Sequence, residues 1–394
     1  MAKSRELTIG IAGSGSAGPA IATLLARQGH QVSLYERAPT KTAVGAGFLL
    51  QPTGMAVLKK MGCLSELLPK TARINQLFCE TTSGKILLDL PYDDWRENSY
   101  GAGVYRPTLL DLLLDQATQA GAKILWDHEI TSRSDRFLED KNGQRHGPFD
   151  LILICDGARS TLRKQSGIPS RVTRYPWGAL WFIGKRTPEF DPTVLWQAVE
   201  KATYLNGYLP TGTEDDLLSL FWSIRMDELD RIKNQPLQQW KDDLLRITPK
   251  AESFLTQVES MSQLQSAAYY DVRMKRWHSD GLAILGDAAH ALSPQLGQGV
   301  NLALMDATTL ADCLQELPLS EALPEYSRRR KQHLGFYQFA TRWTTPFFQS
   351  NSKLLSGIRD AGFPLAVKSP WFRKQMVATM AGVKTGPFST IDLA

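Results

Sequence analysis

The chain has 394 residues, 43% of them hydrophobic and 22% charged, with 45 Lys and Arg against 40 Asp and Glu. That length supports two or three domains' worth of core, and the composition is that of a globular protein. A net charge of +5 suits an anionic cofactor or substrate, but it is too small and too scattered to argue for nucleic acid. The four cysteines, Cys63, Cys79, Cys155 and Cys313, show no CxxC spacing and read as reduced thiols, with no metal site and no disulfide. No signal-peptide h-region and no membrane-length apolar run is present, so a soluble, cytoplasmic protein is expected.

In chain order, residues 7–12 read as a buried strand, 13–18 as a glycine turn and about 19–28 as a helix with Ile21, Leu24 and Leu25 on one face. Pro19 stands where a first helical turn tolerates it, and Gly29 stops the helix before a strand at 31–35. This is a βαβ opening. A helix is expected at 107–120, with strands at 123–126 and 151–155. The texture then changes. Aromatic-rich, strand-like segments at 178–185, 203–208 and 217–224 are separated by turns at Pro176, Pro188, Pro210 and Gly212. They predict a mostly antiparallel sheet, followed by a helix at 236–246. The buried-strand pattern returns at 281–285, and a long helix follows at 299–317. The tail from Leu319 is predicted helical, interrupted at Pro346, Pro364 and Pro370. No internal repeat appears.

The fold class expected is α/β: a Rossmann-like domain with an inserted, mostly antiparallel β-sheet substrate domain and a helical C-terminal region. The boundaries read as 1–75, 100–170 and 275–318 for the first, 76–99 and 171–274 for the second, and 319–394 for the third.

Gly13-Ser14-Gly15-Ser16-Ala17-Gly18 is a GxGxxG turn between strand and helix. One glycine makes the turn, one lets backbone approach a pyrophosphate, and one lets helix and strand pack closely. The helix start offers free N–H groups to phosphates. Glu36 ends the next strand, where a carboxylate accepts hydrogen bonds from a ribose. On these residues alone FAD and NAD remain alternatives. Asp156-Gly157 forms a second turn after a buried strand, with Ser160 able to cap the next helix. Gly286-Asp287-Ala288-Ala289-His290 begins a third segment, which continues through Pro294, Gly297, Gly299, Val300 and Asn301 into the long helix. Asp287 is placed to bind ribityl hydroxyls, and the helix start to stabilise a reduced flavin. His290 reads as structural, whereas His30, His128 and His146 read as solvated.

Together, the three segments resemble the p-hydroxybenzoate hydroxylase-like family of class A FAD monooxygenases, and Gly45-Ala46-Gly47-Phe48 with Gln51-Pro52 loosely resembles its salicylate hydroxylase branch. The resemblance implies bound FAD, with NADPH or NADH as transient reductant. It also implies hydroxylation of an aromatic or polycyclic small molecule by O2 through a flavin C4a-hydroperoxide. The implied cofactor contacts are Gly13, Gly15, Ser16, Ala17, Gly18, Glu36, Arg37, Gly47, Arg106, Asp156, Gly157, Asp287, Pro294, Gly297, Gly299, Val300 and Asn301. The alternatives are a tailoring or drug-inactivating oxygenase acting on a polyketide or alkaloid, or a flavin-binding protein without turnover.

No catalytic base is identified. Tyr204, Asn206 and Tyr208 are the candidates by analogy. Trp177, Trp181, Phe182, Trp196, Phe221 and Trp222 would line an aromatic pocket, half of any alternating set facing away. The Arg328–Lys331 tract and the Trp371–Lys374 cluster read as solvated faces, with peripheral membrane contact as the alternative. A monomer or homodimer is expected, with no transmembrane segment.

Overall fold

The computed structural model describes residues 5–41, 45–212 and 216–393; Met1 to Ser4, where the N-terminal reading begins, lie outside them. A six-stranded sheet runs in the order His278–Ser279, Leu282–Ile284, Leu151–Ile154, Thr8–Ala12, Gln31–Tyr35, Lys123–Leu125. All neighbours are parallel except the first pair. The central strands, Ile-Gly-Ile-Ala and Leu-Ile-Leu-Ile, are apolar runs because both faces are covered; helices lie on the Leu34 side, and His146 of a three-stranded sheet with Phe149 lies on the Tyr35 side. The helices Ala17–Arg27, Gly299–Glu316 and Arg106–Gln119 pack beside this sheet.

The register decides where the motifs meet. Ala12 pairs with Ile154, and Ile154 with Ile284. The carboxyl ends of three strands therefore lie side by side, and the turns at 13, 155 and 285 open at one edge. Ligands of open α/β sheets bind at such an edge. A cavity of about 620 Å³ is lined by Leu7, Asp150 and Gly281 at the opposite, amino ends of these strands, so it is a poor place for the cofactor.

The second sheet has seven strands, in the order Gln265–Met274, Ser170–Lys185, Leu217–Arg225, Tyr204–Pro210, Val194–Glu200, Gln76–Thr81, Ile86–Pro91. Its pairs are antiparallel except Val194–Glu200 with Gln76–Thr81. The strand Ser170–Lys185 runs through Pro176, where the sequence suggested a turn. The register slips between Arg174 and Gly178, and this bulge accommodates a residue with no N–H to donate.

The tail forms three helices, Leu319–Phe348, Lys353–Lys368 and Pro370–Met380. Pro346 lies in a last turn and Pro370 at a first position, as a broken tail requires. Pro364 does not interrupt, and sits within the helix Lys353–Lys368. The four cysteines are free and buried. Among the described residues no helix is long and apolar enough to cross a membrane.

The Arg328–Lys331 tract corrects its sequence reading. Arg328 and Arg329 pair with Glu325 on the helix surface, but Arg330 is buried. Its guanidinium meets Asp306 Oδ1 at 2.7 Å, and His290 Nε2 lies 2.5 Å from Asp306 Oδ2. The Gly286 amide donates to the same carboxylate oxygen, at 2.9 Å. Arg330 also reaches His333 Nδ1, and His333 Nε2 reaches the Gly382 carbonyl. One buried cluster thus ties the Gly286–His290 segment, the long helix, the C-terminal helix and the tail together. His290 is a structural node, as read from the sequence. His30 and His146 are buried rather than solvated.

The Asp306 carboxyl is held down at about 2, the charges of His290 and Arg330 outweighing the burial that would raise it. Burial first, then Arg330, pushes His333 from 6.5 down to about 3. A His333 that is neutral when folded must gain a proton when the chain unfolds in acid. Its contribution to stability is therefore full above pH 6.5 and is lost as the pH falls toward 3. Urea unfolding should show stability falling over that window by up to about 1.4 kcal/mol per pH unit from this group. The His333→Gln variant should have a visibly shallower slope, and an unchanged slope would refute the assignment.

Candidate active site

Three glycines of the first motif divide by what surrounds them. A Cβ on Gly13, at φ +103°, would meet the Cys155 carbonyl at 2.6 Å, and one on Gly18 would stand 2.0 Å from the Gly13 carbonyl. Both are fixed by the protein's own packing. Gly15 has nothing within 4 Å of where its Cβ would be. No protein atom requires a glycine there, and the space is open to a bound group. Ser16 and Ala17 begin the helix Ala17–Arg27, whose N-terminus has no side-chain cap. Its first-turn amides have no intrahelical acceptor.

Glu36 accepts from the Ser14 amide at 3.0 Å, the Ser14 hydroxyl at 2.5 Å and the Ala38 amide at 2.9 Å. These bonds orient the carboxylate over the glycine turn while leaving lone-pair capacity for a ligand hydroxyl. Arg37 beside it is exposed. At the second turn, Gly157 takes φ +84°. Asp156 Oδ1 is buried with no hydrogen-bond partner, and burial raises the carboxyl's pKa. Such an atom wants a donor from outside the chain. Ser160 Oγ accepts from the Arg163 amide at 2.9 Å, the capping expected. Arg163, itself buried, donates to the Ala288 carbonyl at 2.8 Å, joining the second segment to the third.

In the third segment Gly286 adopts φ +60°, which throws Asp287 out of the strand into an exposed position. A Cβ on Gly299 would lie 3.7 Å from Asp287 Oδ1, so this carboxylate faces the start of the long helix. That start is also uncapped by side chains. Pro294 opens a short 3-10 turn, and Gly297 closes it in the left-handed region. Gly299 and Val300 form the first helical positions.

Asn301 has its side chain engaged by protein. Its side chain accepts from the Gln51 amide at 2.8 Å and donates to the Gly297 and Leu49 carbonyls. It therefore positions the loop, and its amide group is committed to protein. Gly47 sits where a Cβ would strike Thr211 and Ser219, and a Cβ on Gly45 would strike Arg106. Arg106 is exposed at the head of its helix, with no carboxylate ion pair among the described residues.

Beside this edge lies a cavity of about 280 Å³. Gly47, Phe48, Arg106 and the Pro294–Gly297 turn form one wall, and the second sheet forms the other. The sheet contributes its odd-numbered face: Trp181, Leu205, Leu209, Phe221, Ser223 and Tyr269 among others. Strand alternation puts the even-numbered residues on the opposite side. There Tyr208 is fully buried and stacks on Phe190 with ring centroids 4.4 Å apart. Asn206 Nδ2 donates to Thr248 at 3.4 Å, and Tyr204 packs at the edge of the same core. Tyr204, Asn206 and Tyr208 are thus excluded as cavity residues. Of the six aromatics expected in a pocket, Trp181 and Phe221 line it. Phe182, Trp196 and Trp222 face the helix-covered core, and Trp177 lies near Arg225 outside the cavity.

Several polar groups of the cavity were missed in the sequence, Gln349 and Tyr269 foremost. Gln349, at the end of the helix Leu319–Phe348, donates from Nε2 to Ser223 Oγ at 2.8 Å. Its Oε1 is buried without a partner. Tyr269 also lines the cavity, and burial pushes its hydroxyl above the ordinary phenol range, so it is a neutral donor at physiological pH. The described lining residues include no histidine and no carboxylate.

An open glycine cradle, an orphaned buried carboxylate oxygen and two uncapped helix starts along one sheet edge are the features of a dinucleotide-binding site. The FAD binding domain family matches residues 6–334. The chain belongs to this family, and with it to the class A FAD-dependent monooxygenases. It is similar to a probable 2-heptyl-3-hydroxy-4(1H)-quinolone synthase of Rhodococcus erythropolis, 27% identical over 323 residues, covering 81% of this chain and 82% of that protein. It is also similar to 6-hydroxynicotinate 3-monooxygenase of Pseudomonas fluorescens, 23% identical, covering 80% and 84%. In fold it matches the tetrameric form of 2-methyl-3-hydroxypyridine-5-carboxylic acid oxygenase, with a TM-score of 0.80, 20% identity and coverage of 95% and 96%.

The glycine geometry separates folding from cofactor binding. Gly15→Val should fold with near-native secondary structure but retain FAD at least about tenfold more weakly, equivalent to ~1.4 kcal/mol. Flavin content after purification and FAD titration of the apoprotein check this. Undiminished affinity would show that Gly15 does not face the cofactor.

Proposed function

We propose that this chain uses NAD(P)H and O2 to hydroxylate a flat, small heteroaromatic molecule in the 280 Å³ cavity. One observation carries the reading: an apolar, aromatic-walled cavity shares its wall, Gly47 and the Pro294–Gly297 turn, with the segments assigned to FAD. The residues that would hold FAD are those of the 13–18 turn, Glu36, Arg106, Asp156, Asp287 and the backbone from Gly297 to Val300. Bound FAD supplies the electron transfer from NAD(P)H to O2 and the delivery of one oxygen atom to the ring, the other leaving as water.

The chain's own residues do the rest. The uncapped start of the helix Gly299–Glu316 places partial positive charge that favours anionic states of a ring beside it. Asn301 and the Asp306–Arg330 cluster fix that helix start relative to Gly47. Trp181, Leu205, Leu209 and Phe221 exclude water from the ring to be attacked. Gln349 Oε1 is oriented by the bond to Ser223 and accepts from an N–H or O–H on the substrate. Tyr269 donates to a substrate oxygen or ring nitrogen. With no histidine or carboxylate among the described lining residues, the proposed substrate is one that is electron-rich in the protonation state in which it binds. The names of the relatives, a quinolone synthase and a hydroxynicotinate monooxygenase, support a nitrogen heterocycle carrying both a donor and an acceptor.

The holoenzyme should oxidise NADPH or NADH slowly alone and faster with one member of a panel of hydroxypyridines, quinolones and phenols, yielding a product one oxygen heavier. Failure of every aromatic compound to stimulate oxidation would remove the proposal. Gln349→Leu should raise KM for that substrate by roughly 10–100-fold, with a smaller effect on kcat, because a buried donor loses its partner. Tyr204→Phe, on the far face of the sheet, should leave both constants within about twofold. The reverse pattern would place the substrate on the wrong face.

A further inference from the structure

Ten large hydrophobic side chains are exposed among the described residues, and eight of them fall between Phe339 and Phe388. Scattered single cases are ordinary on a protein surface, but such concentration in one segment is not. The pattern is organised. On the helix Lys353–Lys368, Leu354, Ile358 and Leu365 are 73%, 50% and 67% exposed. Their spacing of four and seven puts them on one stripe of the helix. The opposite stripe, Leu355, Phe363 and Val367, packs on the core beneath the second sheet. This helix is therefore apolar on both sides, and only one side is covered. Trp371 and Phe372 extend the exposed set into the next helix, with Trp371 6.3 Å from Phe388.

Charge identifies what suits this surface. Between Phe339 and Lys384 there are seven lysines and arginines against one carboxylate, Asp360, a net +6 in a chain whose total is +5. Arg342, Arg359 and Arg373 pair with Asp271, Asp360 and Asp94. Lys353, Lys368 and Lys374 are exposed and have no ion pair among the described residues. Lys353 and Lys368 bound the apolar helix at its two ends, and Lys374 follows the Trp371–Phe372 pair. Tryptophan, phenylalanine and leucine flanked by unpaired lysines is the composition of helices that lie in a lipid headgroup layer. A second protein copy carrying the same excess positive charge would be repelled.

We infer that the helices Lys353–Lys368 and Pro370–Met380 dock this protein on the surface of an anionic phospholipid bilayer, without crossing it. The inference does not depend on the identity of the substrate.

The full-length holoenzyme is mixed with vesicles of phosphatidylcholine alone or with phosphatidylglycerol added, and binding is read by flotation and by tryptophan quenching with brominated lipid. The protein should float with the anionic vesicles, bind the neutral ones much more weakly, and release as salt screens the lysines. The triple variant Leu354→Glu, Ile358→Glu and Leu365→Glu should lose binding while keeping its flavin and its circular dichroism. Lys353→Ser, Lys368→Ser and Lys374→Ser together should weaken binding roughly 100-fold. Absence of flotation with anionic vesicles overturns the inference, as does flotation unchanged in both variants. A dimer in light scattering that the glutamate variant dissociates, without vesicle binding by the parent, also overturns it and makes this face an interface between copies.

Discussion

The buried carboxylate of Asp306 is the constraint on which the site depends. It holds Arg330, His290 and the Gly286 amide at once, with all three side chains withdrawn from water. An unpaired charge in that position would be costly, and removing one partner of such a cluster typically destabilises by about 3–5 kcal/mol. What the arrangement achieves is registration. The turn carrying Asp287, the helix start at Gly299 and the C-terminal helix carrying Gln349 are set against one another by one group of charges. The cofactor edge and the substrate cavity are built from segments 250 residues and more apart, and this cluster fixes their spacing.

The C-terminal region accordingly contributes to the cavity wall. Its first helix delivers Gln349 to the cavity and its third delivers Met380. Its outer surface carries the uncovered apolar stripe and the unpaired lysines. The ends of the first and third helices thus line the cavity, while the second and third carry the exposed apolar side chains and the unpaired lysines.

Much of the cofactor edge was legible in the sequence because it rests on local backbone rules. A strand, a glycine turn and a helix start occupy adjacent positions at 8–27 and again at 282–316, so their pattern survives without tertiary information. The substrate side was not legible, for a physical reason. Both faces of the second sheet are buried, one under the helices at 229–258 and one over the cavity. Leu205 and Leu209 are as apolar as the Tyr204 and Tyr208 alternating with them, and no polar stripe marks the face that binds ligand. Only the pairing register decides it, and it puts the candidates Tyr204, Asn206 and Tyr208 on the side away from the cavity. Gln349 was invisible because its meaning lies in Ser223, 126 residues away. Arg330 was read as solvated because three of four neighbours in a basic run usually are, and helical spacing turned this one inward.

On the proposed reading, oxygen from O2 reaches an aromatic ring bound against Gln349 and Tyr269, beside the cofactor edge. Turnover of the stimulating substrate under 18O2 tests it most directly. One 18O atom is expected in the product hydroxyl, and at a substrate concentration well below the parent's KM the Gln349→Leu variant should form roughly 10–100-fold less product. A hydroxyl oxygen derived from water, or undiminished product from that variant at the same low substrate concentration, overturns this reading.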